Sequence, residues 1–260
     1  MADMRILLTN DDGYSAAGLK ELASALLNKG HELLISAPAD NQSCVSHGLT
    51  LRRPLHADPM TITGLPGVRV YAIDGTPSDC VRLALGNFDF MPDLIVSGIN
   101  DAPNLGTDAV YSGTVSAAIE GFMVDIPAIA VAKDEFTLDF MDEAAACFAD
   151  MLPDLMRFFD DGPAMLSVNY PSTKRERYKG IQVAKTELQT YELRFDEVVQ
   201  EDGRIAYYVR PGKTTVCSET EYTDERAMRE GYVVITPLTY DITDYKRIDK
   251  ARRLFERDRL

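Results

Sequence analysis

The sequence lacks any excess of basic charge, and this limits the partners it can bind. Its 27 Lys and Arg residues stand against 41 Asp and Glu residues, for a formal net charge of −14 at pH 7. Such a charge repels the phosphate backbone of nucleic acids and the anionic face of a membrane. We therefore expect neither a nucleic-acid polymer nor a membrane as a partner. A small phosphorylated ligand would need local positive charge from a cation, a helix N-terminus or basic side chains.

Long apolar runs and paired cysteines are also missing. No stretch approaches the ~18 uninterrupted apolar residues of a membrane span, and the N-terminal residues MADMR lack the apolar segment of a signal peptide. The four cysteines are far apart and form no CxxC pair, which argues against a zinc ribbon and a disulfide scaffold. We expect a cytoplasmic protein with reduced thiols.

Histidine is scarce, and the glycines follow no cofactor fingerprint. The three histidines form no metal-ligand pattern, and only His47 falls in a loop near the polar strand ends described below. No GxGxxG motif follows a predicted strand, so the sequence does not support a dinucleotide cofactor.

Short apolar runs alternate with helical periodicity over the first two thirds of the chain. The runs lie at residues 4–9, 33–37, 70–73, 94–96, 129–131 and 165–168. The segments between them carry apolar residues at helical spacing, with Thr76 and Ser112 as helix caps. Continuous apolar strands indicate a parallel sheet covered on both faces. We predict an α/β fold with a doubly wound, Rossmann-like, mostly parallel sheet, whose catalytic core is residues 1–170.

The pattern changes after residue 170. Two runs at residues 193–199 and 205–209 flank EDG at 201–203, which is typical of a β-hairpin. A helical stripe near the C-terminus consists of Ile248, Ala251, Leu254 and Phe255. We predict that residues 171–260 form a hairpin and helix extension rather than an independent domain.

Polar side chains follow three of the predicted strands, at the edge where a doubly wound sheet binds ligands. They are Asn10, Asp11 and Asp12 after the first strand, Asp40, Asn41, Gln42 and Ser43 after the second, and Ser97, Asn100 and Asn104 at the run that begins at residue 94. Hard oxygen donors without His or Cys favour Mg²⁺, Mn²⁺ or Ca²⁺. A divalent cation would also relieve repulsion between the adjacent Asp11 and Asp12 carboxylates.

Two of these motifs also have simpler interpretations. Asp-Asp-Gly at 11–13 is a common turn sequence, but the convergence of three polar loops favours a metal site. Ser112, Gly113 and Thr114 begin a predicted helix, where a hydroxyl can cap the helix and free N–H groups can hold a phosphate. The cap and the phosphate cradle are compatible with each other.

Several motifs in this order resemble the survival protein E (SurE) family of 5'-nucleotidases. They are RILLTNDDG at 5–13, APADNQS at 37–43, GTPSDC at 75–80, VSGIN at 96–100 and YSGT at 111–114. Residues 223–224 (TD), 231–232 (GY) and 236–238 (TPL) resemble that family's C-terminal pattern, so the likeness covers almost the whole chain.

The resemblance implies one divalent metal ion per subunit, Mg²⁺ or Mn²⁺ with Ca²⁺ able to occupy the site. It assigns the metal to Asp11, Asp12, Ser43 and Asn100. We assign the two aspartates as metal ligands first and as candidate catalytic acid or base second. The residues expected to lie beside the substrate phosphate are Asn41, Asn104, Ser112, Gly113 and Thr114. It also implies hydrolysis of nucleoside 5'- and 3'-monophosphates, sometimes activity on short polyphosphate, and a homodimer or homotetramer built by the C-terminal segments.

Four positions in three segments depart from the family pattern. Cys44 and Gly48 replace a glycine and a serine, and residues 100–104 read NDAPN where the family has NAGPN.

The sequence leaves open whether an aspartate or an activated water attacks the phosphate. A haloacid-dehalogenase-type phosphatase is a rival, although it needs an aspartate at position 10, which is Asn10 here. A non-catalytic nucleotide-binding module is a second rival.

Overall fold

A computed structural model describes residues 3–134, 138–192, 194–210, 215–216 and 222–256. Nine strands form one sheet. They are β1 (Arg5–Thr9), β2 (Glu32–Pro38), β3 (Ala57–Met60), β4 (Arg69–Ile73), β5 (Leu94–Asn100), β6 (Ala128–Lys133), β7 (Met165–Tyr170), β8 (Ile181–Val183) and β13 (Val233–Leu238). Four further strands form two separate two-stranded sheets: β9 (Gln189–Thr190) with β12 (Thr215–Val216), and β10 (Phe195–Val199) with β11 (Ile205–Val209).

The α-helices of the described residues connect these strands and cover the sheet. They are α1 (Ala17–Leu27), α2 (Pro77–Asn87), α3 (Asp108–Tyr111), α4 (Gly113–Met123), α5 (Met141–Arg157), α6 (Asp224–Arg229) and α7 (Tyr245–Phe255). None of them is long and apolar enough to cross a membrane.

The sheet is doubly wound, as the sequence predicts. Its strand order is β3-β4-β2-β1-β5-β6-β7-β13-β8, and the six strands from β4 to β7 are parallel. Numbered along the chain, those six have the order 3-2-1-4-5-6, which is the Rossmann arrangement. The strand order reverses between β1 and β5. Ligands of such sheets bind at this switch point, beyond the carboxyl ends of the two strands.

Alternating side chains of the buried strands pack against helices on both faces. Ile6 and Leu8 of β1 pack in a cluster with Leu22 of α1 and Phe148 of α5. Leu7, between them in sequence, packs in the opposite cluster with residues of α2 and α4. Both faces of β1 are therefore covered, which matches its three consecutive apolar residues, and the buried strand holds the loop that follows it in a fixed position.

The nine-stranded sheet includes strands from the C-terminal segment. β13 pairs antiparallel with β7, and β8 pairs parallel with β13 at the edge of the sheet. β10 and β11 form the predicted antiparallel hairpin, although Leu193 at its expected start lies outside the described residues. No residue of α7 is buried. The division of the chain at residue 170 stays a prediction, since β8 and β13 complete the core sheet from beyond that point.

Candidate active site

A cavity of about 310 Å³ opens at the switch point, beyond the ends of β1, β2 and β5. It brings together seven of the nine residues that the resemblance assigns to the metal and the phosphate, namely Asp11, Asp12, Asn41, Ser43, Asn100, Asn104 and Ser112. Asn10, Asp40, Gln42 and Ser97, which also follow the predicted strands, do not line it. It is also lined by Cys44, Asp101, Ala102, Pro103, Asp108 and Tyr111. The remaining two predicted residues, Gly113 and Thr114, lie next to Asp11 at the start of α4.

A closed turn after β1 presents the two aspartates. The amide nitrogen of Asn10 donates to the carbonyl of Gly13 at 2.9 Å, and the Gly13 N–H donates to the Asn10 side-chain oxygen at 3.2 Å. Gly13 has a φ of 106°, which side chains other than glycine rarely adopt. The turn is tied to the next loop because the Gln42 N–H donates to the Asp11 carbonyl at 2.7 Å. Asn10 is therefore a residue that shapes this turn.

Asp11 is held by the first turn of α4. Its side chain is 3% exposed and accepts a hydrogen bond from the Thr114 hydroxyl. Burial raises the pKa of the Asp11 carboxyl above its ordinary value, although hydrogen bonds from Thr114 and from the N–H groups of Thr114 and Gly113 oppose that rise. The orientation of this carboxylate is thus fixed by groups of the protein itself.

Asp12 is less enclosed and has fewer partners. Its side chain accepts a long hydrogen bond, 3.4 Å from the Asn41 amide nitrogen, and a further hydrogen bond from the backbone of Asp101. Burial, then the negative charge of Asp11, then that of Asp101 raise the pKa of Asp12 to about 7, although the hydrogen bond from the Asp101 backbone opposes that rise. None of the residues lining the cavity is Lys, Arg or His in the part of the chain that the structure describes. The negative charge of this pair therefore has no basic side chain beside it within the cavity wall.

The loop after β2 carries Asn41 and Ser43. The Asn41 side-chain oxygen accepts from the Ser43 N–H at 2.9 Å, which forms a local turn and places Ser43 on the cavity wall. Ser46 attaches the same loop to the segment before α4, since its hydroxyl donates to the Val110 carbonyl at 2.8 Å and its N–H donates to the Tyr111 carbonyl at 3.0 Å.

Asn100 and Asn104 lie at the end of β5 and in the loop beyond it. The Asn100 amide nitrogen donates to the Ala102 carbonyl at 2.7 Å, so its amide oxygen remains as an acceptor. The Asn104 N–H donates to the side-chain oxygen of Asn169 on β7 at 2.9 Å. Asn104 is 8% exposed, and its amide nitrogen has no hydrogen-bond partner among the described residues. A buried donor without a partner, on a residue that lines a polar cavity, is a candidate to bind an anionic oxygen.

Ser112, Gly113 and Thr114 begin α4, as predicted. The Ser112 hydroxyl accepts from the Val115 N–H at 3.0 Å, which is the expected N-cap. Ser112 lines the cavity, whereas Gly113 and Thr114 contact the Asp11 side chain. Their predicted contact with a phosphate stays a prediction.

The donor set fits a hard divalent cation. Two adjacent carboxylates, one hydroxyl and one amide oxygen line one cavity, and a cation would offset the repulsion that raises the pKa of Asp12. Among the described residues no three or more His, Cys, Asp and Glu residues form a group that could hold a metal ion. A cation at this position would therefore depend on Ser43 and Asn100 as well as on Asp11 and Asp12.

Six residues of the cavity wall are not among the predicted site residues, and three of them carry polar side chains on or near α3 and Asn100, namely Asp101, Asp108 and Tyr111. Asp101 follows Asn100 directly, and Asp108 and Tyr111 belong to α3. Two features of the sequence point to Asp101. It is next to the predicted ligand Asn100, and it departs from the family pattern NAGPN. Tyr111 is the first residue of the YSGT motif at 111–114, which indicates the start of α4 and predicts no cavity contact for Tyr111 itself. Asp108 carries no comparable signal, because α3 is a single turn whose place depends on the loops around it.

The histidines lie outside the cavity wall. The His47 ring nitrogen is 2.7 Å from a carboxylate oxygen of Glu120, a buried residue of α4. His56 pairs with Asp74 at the surface, and His31 accepts from the Met4 N–H. His47 thus attaches its loop to α4 and does not line the cavity.

The fold and the cavity define a doubly wound α/β protein with an acidic, oxygen-lined site at its switch point. The chain belongs to the SurE family, since the family model described as survival protein SurE matches residues 6–193. This membership, together with the structural role of Asn10, sets aside the haloacid-dehalogenase alternative.

Individual relatives match almost the whole chain. The chain is 40% identical to the 5'-nucleotidase SurE of Synechococcus elongatus, with 96% of this chain and 99% of the relative covered. It is 42% identical to the 5'-nucleotidase SurE of Desulfitobacterium hafniense, with 96% of each covered. The crystal structure of the SurE protein from Aquifex aeolicus superposes with a TM-score of 0.79 at 34% identity, covering 96% of this chain and 99% of that one.

Proposed function

We propose that this protein is a 5'-nucleotidase that removes the phosphate from nucleoside 5'-monophosphates with the help of one divalent metal ion per subunit. The observation that carries the proposal is the pair of adjacent carboxylates, Asp11 and Asp12, at the switch point of a SurE-family fold. The names of the relatives from Synechococcus elongatus and Desulfitobacterium hafniense support the same substrate class.

The residues that would hold the metal are Asp11, Asp12, Ser43 and Asn100. When bound there, Mg²⁺ or Mn²⁺ would offset the charge of the phosphate and assist the ionisation of water. Two groups support this set of ligands. The Asn100 amide nitrogen donates to the Ala102 carbonyl, so the amide oxygen can bind the metal, and the Ser43 hydroxyl is a second neutral oxygen ligand on a loop held by Asn41. Ca²⁺ has the same preference for oxygen ligands and could occupy the site.

The side chains of the protein have separable tasks in this proposal. Asp11, fixed by Thr114, is a rigid ligand. In the described part of the chain Asp12 has no side-chain partner but the distant Asn41 amide, and it can accept a proton from the attacking water. As the P–O ester bond breaks, that proton passes to the leaving 5'-oxygen of the nucleoside. The Asn104 amide nitrogen donates to a phosphate oxygen, which gives it the partner that it lacks within the described residues. Asn41 positions both Ser43 and Asp12.

The proposal also includes hydrolysis of nucleoside 3'-monophosphates and short polyphosphate, a cytoplasmic location and a homo-oligomeric state. Free thiols at Cys44, Cys80 and Cys147 suit a reducing compartment. The exposed apolar side chains of the β10–β11 hairpin and α7 support assembly with further copies; they include Phe195, Val199, Tyr208, Val209 and Phe255.

The substrate class is tested with a panel of phosphomonoesters. Purified protein is incubated with nucleoside 5'-monophosphates, nucleoside 3'-monophosphates, a sugar phosphate and short polyphosphate, and released inorganic phosphate is measured. We expect the highest kcat/KM for a nucleoside 5'-monophosphate. Saturable nucleotide binding without phosphate release would favour the non-catalytic nucleotide-binding module instead.

A further inference from the structure

Asp224 binds three separate backbone N–H groups with one carboxylate. It is 1% exposed and stands at the start of α6. Its carboxylate accepts from the N–H groups of Gly106, Glu187 and Glu225, each at 2.8 Å. A buried carboxylate with this many donors links the segments that supply them, because each donor would otherwise lose its partner in a region closed to water.

One of these segments is the cavity loop beyond β5. Gly106 lies two residues after Asn104, and the Asn104 side chain lines the cavity. Gly106 has a φ of 53°, and a Cβ atom on it would lie 2.7 Å from the Glu187 carbonyl oxygen. The loop therefore packs directly on the backbone at Glu187, and Asp224 joins the N–H groups of both.

A second connection holds the next residue of the loop. The Thr107 hydroxyl donates to the Gln189 carbonyl at 3.0 Å and accepts from the Gln189 N–H at 2.9 Å. The Gln189 side chain in turn donates to Glu225 at 2.6 Å. Residues 187–189 and 224–225 thus form a clamp around residues 106–107, and every contact in it comes from the C-terminal part of the chain.

We infer that Asp224 is a positioning residue for substrate binding, acting through Gly106 to hold Asn104 at the phosphate; this rests on the proposed function. It does not line the cavity. Asp224 fixes the position of the loop that contains Asn104. It does not position Asp11 and Asp12, which are held by the turn after β1 and by α4. Loss of the clamp should weaken substrate binding and leave the turnover of bound substrate nearly intact.

The test compares Asp224→Asn with Asp154→Asn, the same change at a residue of α5 whose side chain is 85% exposed. An amide cannot accept all three hydrogen bonds. We expect Asp224→Asn to raise KM for a nucleoside 5'-monophosphate roughly tenfold, with kcat within about threefold of the parent. Amide hydrogen exchange at Gly106 should accelerate in Asp224→Asn and stay parental in Asp154→Asn. Parental KM with parental exchange at Gly106, or a loss confined to kcat, would overturn the inference.

Thr107→Val tests the same clamp in case Asp224→Asn does not fold. It removes the hydroxyl that bonds to Gln189 while keeping the shape, and Thr107→Ser restores the hydroxyl. We expect a raised KM and faster exchange at Gly106 for Val, and parental values for Ser; equal behaviour of Val and Ser would overturn the clamp. Hydrogen exchange tests whether Asp224 holds the loop, independently of whether the protein is a nucleotidase. A parent that releases no phosphate contradicts the proposed function, whereas exchange at Gly106 still decides whether Asp224 holds the loop.

Discussion

Gly113 lies so close to Asp11 that a Cβ atom on Gly113 would stand 2.8 Å from the Cβ of Asp11. Real Cβ atoms do not approach each other this closely, so one of the two backbones would have to move. The same helix start supplies the Thr114 hydroxyl and the N–H groups that orient the Asp11 carboxylate. The position of a predicted metal ligand on β1 is therefore set by α4, a hundred residues later in the sequence.

Gly113→Ala should displace Asp11 and disable the site. We predict a loss of about a hundredfold in kcat/KM, the size of effect that a misplacement near 1 Å can cause, together with weaker Mn²⁺ binding. Steady-state kinetics and calorimetric titration of Mn²⁺ measure the two quantities.

Gly86→Ala is the matched control for that variant. Gly86 is an exposed residue of α2, and no atom would lie within 4 Å of an added Cβ. It should keep parental activity and gain about 0.5–1 kcal/mol of stability. Equal activity of the two alanine variants would contradict the close approach of α4 to Asp11.

The ionisation of Asp12 should make the metal-free protein less stable at neutral pH. Burial and neighbouring charge raise its pKa from 3.8 to about 7, so the folded state binds the proton more tightly than the unfolded state. The stability that this proton supplies is present at low pH and is lost as the pH rises towards the folded-state pKa. In the presence of chelator, Asp12→Asn should have a higher Tm than the parent at about pH 8, and the difference should shrink towards about pH 4.

Thermal unfolding across this pH range checks that prediction, with Asp154→Asn as a control for a surface charge. A difference in Tm between parent and Asp12→Asn that is constant with pH would show that Asp12 ionises normally.

Asn104→Ala should weaken substrate binding without unfolding the protein. Its side-chain nitrogen has no partner in the described chain, so truncation breaks no internal hydrogen bond from that donor. We predict an increase in KM of roughly tenfold for nucleoside 5'-monophosphates, the effect of losing one hydrogen bond to a charged group. Steady-state kinetics measure KM, and Asn87→Ala, at the exposed end of α2, serves as the control. An unchanged KM would mean that Asn104 does not contact the substrate.

Removal of the chain from Tyr240 onward should lower the number of subunits per particle. The apolar side chains of α7 are largely uncovered, with Leu254 48% and Phe255 80% exposed, and they need a surface to cover them. Light scattering of the truncated protein measures its mass. Leu254→Asp combined with Phe255→Asp should act in the same direction, while Lys250→Ala should not. The same number of subunits in all variants would rule out a role for α7 in assembly.

The parallel core could be predicted because its strands are buried on both faces. Residues 4–9, 33–37 and 94–96 are short, mainly apolar runs that alternate with helical segments, and this alternation is typical of a parallel sheet covered on both faces. β3 could not be predicted, because ADPM at Ala57–Met60 contains no apolar run and has a proline that is tolerated at a sheet edge. The antiparallel place of β13 beside β7 depends on contacts between segments far apart in sequence, which local patterns do not encode.

The same contrast applies to the cavity. Asp11, Ser43 and Asn100 follow strands, so the fold alone brings them to one edge, while their roles as metal ligands stay predictions. Tyr111 and Asp224 fall in the YSGT and TD motifs of the family pattern, but neither directly follows a core strand, so the predicted fold does not place them. Tyr111 reaches the cavity through a single helical turn, and Asp224 acts from more than a hundred residues beyond the loop that it binds. Neither the place of Tyr111 in the cavity wall nor the contact of Asp224 with Gly106 can be recognised from hydrophobic periodicity or composition.

The central claim is that Asp11, Asp12, Ser43 and Asn100 hold a divalent cation on which phosphate hydrolysis depends. The most direct measurement is phosphate release from a nucleoside 5'-monophosphate by exhaustively chelated protein, before and after Mn²⁺ is restored, for the parent and for Asp12→Asn. We predict that the chelated parent is inactive and recovers with Mn²⁺, and that Asp12→Asn remains lower by roughly a hundredfold or more at saturating Mn²⁺. A fully active chelated parent, or near-parental turnover of Asp12→Asn, would contradict the claim.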